Sequence, residues 1–179
     1  MIITAAFLLL QALWIPAKAE LAQWLMARAW QRSLEGSTDV RPWPWADTRP
    51  VAVLEAPRLG IRQFVLEGAS GRNLAFGPAT LTEISSPDLI LSGHRDTHFN
   101  WIRHLQDGDL LRLATRDETR VFRAGYSEVI DSRTQEMSLD PRWARISLVT
   151  CYPFDSPTAG GPLRYVVTAI GNPLPDERL

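Results

Sequence analysis

The stretch Arg145–Gly171 reads RISLVTCYPFDSPTAGGPLRYVVTAIG, and its pattern decides the fold class. RISLVT and RYVVTAIG are short apolar runs rich in β-branched residues, which is strand character. Between them stand Pro153, Pro157, Gly160, Gly161 and Pro162, residue types that end strands and make turns. Two strands joined in this way form a hairpin, and a hairpin returns Arg164 beside Cys151. Cys151 is the only cysteine of the chain, so it has no partner for an internal disulfide. On the residues alone four roles stay open to it: a buried packing group, a metal ligand, a disulfide to another chain, or a nucleophile.

Outward from this stretch the same kind of segment recurs. VAVLEA and IRQFVLE, separated by Pro57 and Gly60, are strand candidates, as are DLILSG, DLLRLAT and RVFRAGYSEVI. Gly, Pro, Asp and Ser punctuate most of them. Asn73 to Ile84 is expected to hold a short helix broken near Gly77-Pro78, and Phe99 to Leu105 another. Many short strands with few helices suggest an all-β domain closed, or nearly closed, into a barrel.

The remaining chain divides in two. Residues 36–50, GSTDVRPWPWADTRP after Glu35, carry three prolines and no periodicity and read as a Pro-rich linker. Residues 1–35 begin with an apolar stretch, Ile2 to Ala17, interrupted only by Thr4 and Gln11. Its length is slightly short of the ~20 apolar residues that span a bilayer, but Ala19 to Trp30 continue it with helix formers. A membrane anchor is the expectation, with Trp14, Trp24 and Trp30 at an interface. A cleaved signal peptide, with Ala17-Lys18-Ala19 as cleavage site, and a soluble packing helix are the alternatives. The basic residues after the segment, Lys18, Arg28 and Arg32, run against an outward-facing domain. The barrel domain is then 51–179.

Composition narrows the function. The 179 residues are 45% hydrophobic and 22% charged, with a net charge of -1, so neither general disorder nor a nucleic-acid partner is indicated. The only lysine is Lys18, outside the expected domain, which excludes a catalytic lysine there. Of the three histidines, His94 follows the strand candidate DLILSG, much as Cys151 follows RISLVT. Two strand ends lying side by side would deliver a Cys–His pair, a recognised way to make a thiolate near neutral pH. Arg164, returned by the hairpin, would supply a fixed guanidinium for an oxyanion. Singly, each residue also has an ordinary role: a packed thiol, a turn histidine, a solvated arginine.

Three ordered motifs go further. LILSGHRDTHF, ISLVTCYPF and PLRYVV are similar to the His, Cys and Arg motifs of the sortases, the cysteine transpeptidases. The form is most similar to the proteobacterial, Gram-negative group, whose common segment LEGASGRNLAFGP resembles. The resemblance covers roughly Val51 to Gly171, and one departure is Ser147 where the pattern Thr-Leu-x-Thr-Cys opens with Thr. It implies a closed eight-stranded β-barrel with short helices behind an N-terminal membrane-anchor helix. It implies transpeptidation of a protein bearing a C-terminal signal like Leu-Pro-x-Thr-Gly. Cys151 is then the nucleophile, His94 the general acid and base, and Arg164 the oxyanion donor, with Thr150 lining the substrate site. No cofactor and no metal are implied. The expected location is the bacterial inner membrane, with the catalytic domain on the periplasmic face; the amine acceptor stays unnamed.

Two rivals remain. His94 and His98 in HRDTH stand four apart, as zinc ligands on a helix do, and Cys151 would make a third; but Arg95 stands where a zincin has Glu. A membrane-tethered barrel that only binds would retain the fold and merely pack its thiol. The presence of all three residue types in order separates the enzyme from such a module.

Overall fold

The computed structural model describes residues 21–157 and 160–171. Strand β1 (Pro50–Ala56) turns through a 3-10 turn at Pro57–Leu59 into β2 (Ile61–Leu66). Proline opens the turn, and Gly60 closes it at φ 64, a left-handed conformation that costs glycine nothing. Helix α2 (Gly71–Leu74) follows, then β3 (Ala79–Thr80), β4 (Asp88–Ser92) and a 3-10 segment at Asn100–His104. Strands β5 (Leu110–Thr115), β6 (Thr119–Asp131), β7 (Arg145–Cys151) and β8 (Leu163–Gly171) complete the chain. A preceding helix, α1, covers residues 21–34.

The eight strands close in the order β1-β2-β3-β4-β7-β8-β6-β5, the barrel expected from the sequence. Closure removes the unpaired edges that an open sheet would expose. Alternation assigns the two faces. Leu89 and Leu91 of β4, Ile146 and Leu148 of β7, and Val167 and Ala169 of β8 point inward and join Phe99, Ile102 and Phe122 in the buried interior. Ile90, Val149, Val166 and Ile130 lie on the opposite face and are covered by Met137 from the β6–β7 connection. Strand β6 reaches two neighbours because it is thirteen residues long. Its first part pairs with β5 and its remainder with β8, with a bulge between Ala124 and Ser127 to re-aim it.

Seven of the eight strands coincide with the runs read from the sequence; β3 does not. The stretch Asn73–Ile84 holds only the end of α2 and this two-residue strand. The helix starts earlier because Ser70 caps it, accepting from the Asn73 amide at 3.3 Å. Strand β3 is held by its partners, Leu66 of β2 and Ser92 and Leu91 of β4, and not by local propensity.

The apolar stretch Ile2–Ala17, expected as an anchor, lies outside the described residues. Among the described residues no helix is long and apolar enough to cross a membrane. Trp30, expected at an interface, is 7% exposed and packs with Met26 against Val53, Phe64 and Leu66 of the barrel. Trp24 is exposed beneath Arg28, 5.5 Å from its ring. The stretch 36–50 is irregular until Pro50 and lies on the barrel. Thr48 donates to the Glu67 carbonyl at 2.9 Å, Arg49 joins Asp39 and Glu67, and Trp43 packs edge-on against Phe76.

Candidate active site

Strands β4 and β7 are parallel neighbours, with Ser92 beside Val149. Parallel strands end at the same edge of a sheet, so His94 and Cys151 emerge side by side. Two bonds extend the ladder to that edge. The Gly93 amide donates to the Val149 carbonyl at 3.1 Å, and the Thr150 hydroxyl donates to the Gly93 carbonyl at 2.7 Å. On the other side β8 runs antiparallel to β7, and its residue opposite Cys151 is Arg164. Cys151 and Arg164 share the outer face with Val149 and Val166. The ends of three adjacent strands thus bring together His94, Cys151 and Arg164, residues separated by up to seventy positions in the chain.

His94 is exposed, whereas Cys151 and Arg164 are half-buried. The Arg164 guanidinium donates through Nη1 to the carbonyls of Gly161 (2.6 Å) and Leu163 (2.9 Å), which holds its planar head over the start of β8. Thr150, expected to line the substrate site, is 2% exposed and alternates inward with Ile146 and Leu148. Its hydroxyl is the strut to Gly93 and thus to the backbone that carries His94.

The loop after Gly93 is tight. The Phe99 amide closes it on the His94 carbonyl at 2.9 Å, and Phe99 is fully buried beneath. Gly93 is required for this approach, since a Cβ there would stand 2.7 Å from the Phe99 ring. HRDTH is therefore a loop and not the helix that zinc spacing needs. His98 points elsewhere, with Nε2 3.4 Å from the Ala75 carbonyl, and burial pushes its pKa down. His104 belongs to the 3-10 segment. Among the described residues no group of three or more His, Cys, Asp or Glu side chains converges as metal ligands.

Arg95 was not singled out by the sequence reading, which noted only that it is not Glu. It is 5% exposed, and it bridges the two loops that leave the sheet beside the site. Nη1 donates to the Pro153 carbonyl at 2.7 Å and Nη2 to that of Ser156 at 3.0 Å, while Nε and Nη2 hold the Asp96 carboxylate. The Arg95 guanidinium keeps the Asp96 carboxyl below its ordinary range, and His94 adds to the effect. The signal available was an arginine in a strand-end loop directly after the candidate base.

A groove of about 200 Å³ lies on the outer face of β6–β8, floored by Ser147, Val166 and Thr168 and walled by Glu136 and Met137. A larger, mostly apolar cleft of about 600 Å³ lies between α1 and Trp43, Trp45 and Phe76. None of His94, Cys151 and Arg164 lines it.

Comparisons with known proteins bear on the family and the fold. Residues 54–171 match the family model of the Sortase domain. Sortase D of Bacillus subtilis (strain 168) is 30% identical over 120 residues, covering 64% of this chain and 60% of that protein. Sortase A from Corynebacterium diphtheriae superposes with a TM-score of 0.63 at 20% identity, over 81% of this chain and 70% of that one. Clostridium perfringens sortase C, solved with the C-terminal cell wall sorting motif, gives 0.61 at 18% identity over 88% and 91%. These two likenesses concern the fold. The family match spans most of the barrel, and the motif residues stand together at one edge of it: the chain belongs to the sortase family of cysteine transpeptidases.

Proposed function

We propose that this protein cleaves a Leu-Pro-x-Thr-Gly-like C-terminal sorting signal and transfers the cut protein to an amine. The observation that carries the reading is the pairing of Cys151 with Arg164 across β7 and β8, beside the end of β4 that delivers His94. The Cys151 thiolate attacks the threonine carbonyl. The oxyanion of the tetrahedral intermediate accepts from the Arg164 guanidinium, whose position is held through Nη1 by backbone carbonyls. Collapse breaks the Thr–Gly bond as His94 gives its proton to the departing amine. A thioester on Cys151 remains. An incoming amine attacks it, His94 takes the proton, and the new amide releases the thiolate. The thioester conserves the acyl bond, so the cycle needs no cofactor.

The sorting motif carried by the Clostridium perfringens sortase C structure supports a peptide substrate of this class. The proposal also takes the chain as a member of the Gram-negative group, anchored by Ile2–Ala17 in the inner membrane with the barrel in the periplasm. The motif LEGASGRNLAFGP and the apolar N-terminus support that placement.

Mass spectrometry tests the chemistry. Incubation with a peptide containing Leu-Pro-Ala-Thr-Gly should add an acyl fragment at Cys151, and added triglycine should discharge it. Cys151→Ala should give neither adduct nor product. His94→Ala and Arg164→Lys should each lower the rate by about a hundredfold or more, with Cys151 still open to a small alkylating agent. Product formed by Cys151→Ala would eliminate the mechanism.

A further inference from the structure

Beyond Gly93 and Cys151 the β4–β7 ladder stops. The loop that carries His94, 94–99, and the loop that follows Cys151, 152–157, then leave the sheet side by side. Something must hold one against the other, because a backbone shift of 1 Å at a reacting group costs about a hundredfold in rate. We propose that Arg95 is the positioning residue that does this, clamping the loop after Cys151 to the loop that carries His94. The inference rests on the transpeptidase reading above for its kinetic consequence and on geometry for its structural one.

A guanidinium that is only 5% exposed needs acceptors for its donors, and Arg95 finds them in two directions. One is its neighbour Asp96, held at 2.6 and 3.0 Å. The other is a pair of carbonyls, Pro153 and Ser156, two and five positions after Cys151. Only a planar fork presents donors to a carboxylate and to two carbonyls three residues apart at once; an ammonium is a single centre. Arg103, from the 3-10 segment that follows the His94 loop, adds a second tie to the loop after Cys151. It donates to Asp155 at 3.0 Å and lies over the Phe154 ring at 5.2 Å. That tie is exposed at Asp155 and therefore weaker. The loop so held packs Tyr152 and Phe154 on Tyr165, the β8 residue next to Arg164. One buried side chain thus connects the backbone of the base, the backbone after the nucleophile and, through two aromatic rings, the strand of the oxyanion donor.

Hydrogen exchange and steady-state kinetics on the full-length protein in detergent test this. In Arg95→Met, amides of 94–99 and 152–157 should exchange at least tenfold faster, while those of β4, β7 and β8 stay protected. With the Leu-Pro-Ala-Thr-Gly peptide and triglycine, kcat should fall about 10- to 100-fold and KM should stay within about twofold. Arg95→Lys should recover part of both effects. Unchanged exchange in 152–157 overturns the clamp. So does faster exchange with an unaltered kcat, or a raised KM at constant kcat, which would make Arg95 a substrate contact. If neither variant folds, Arg95 serves folding and the proposal fails. A wild-type protein that transfers nothing sinks the transpeptidase reading instead, and the exchange measurement still judges the clamp.

Discussion

Replacing Thr150 with valine removes one oxygen from the join between β7 and the His94 loop. The side chain is 2% exposed, and its hydroxyl donates to the Gly93 carbonyl at 2.7 Å, one residue before His94. Valine has nearly the same shape, so the perturbation is the loss of a donor and not a cavity. The hydrogen bond itself contributes about 1 kcal/mol, and a buried acceptor left without it costs about 1–3 kcal/mol. The extra buried methyl recovers up to about 0.8 kcal/mol. The expected net loss is about 1–2 kcal/mol, or a fall in Tm of about 2–8 °C for a domain of this size. Thermal unfolding followed by circular dichroism measures it. The functional consequence is larger than the thermodynamic one, because the freed carbonyl carries His94 with it. Transfer to triglycine should slow about tenfold in Thr150→Val and stay near normal in Thr150→Ser, which keeps the hydroxyl and loses only a methyl. A valine variant that melts and turns over like the wild type would refute the strut. A serine variant as impaired as the valine one would assign the effect to methyl packing.

Two further outcomes follow from the same geometry. Gly93→Ala drives a Cβ to 2.7 Å from the Phe99 ring, which is fully buried and has no room to withdraw; a loss of about 1–3 kcal/mol in urea unfolding is expected, and an alanine variant of wild-type stability would mean that the loop yields. At low pH, Asp131 and Asp140, whose pKa values Arg133 and Arg142 lower to about 2, mark the ends of the segment that covers Val149 and Val166. A depressed carboxyl stabilises the fold above its unfolded value near 3.9 and loses that contribution as pH falls through about 2, so the urea midpoint should decline between pH 4 and 2. The decline should be smaller in the Asp131→Asn, Asp140→Asn double variant and at high salt, because the arginine partners are exposed. An equal decline in wild type and double variant would remove these two pairs from the acid response.

Much of the barrel was legible in the order of residues. Strands such as RISLVT and RYVVTAIG announce themselves because apolar, β-branched runs end at proline and glycine, and those breaks come from local sterics. The hairpin between them was legible for the same reason, and with it the placement of Arg164 opposite Cys151. The motif order, His then Cys then Arg, needed no coordinates either. Strand β3 was illegible: two residues carry no period, and only pairing with β2 and β4 makes them a strand. Trp30 misled because its hydrophobicity alone does not distinguish the surface of a membrane from that of a barrel.

What the sequence determined was which segments become strands and which residue types stand at their ends. Tertiary structure alone decided that β4 lies parallel to β7, which sets His94 beside Cys151, because that pairing joins segments 57 residues apart and no local signal encodes it. It also decided that the Thr150 hydroxyl is spent on Gly93 and that Arg95 is buried between two loops. A buried donor must find an acceptor wherever the fold supplies one, and here the acceptors are backbone carbonyls, which carry no side-chain identity to be read.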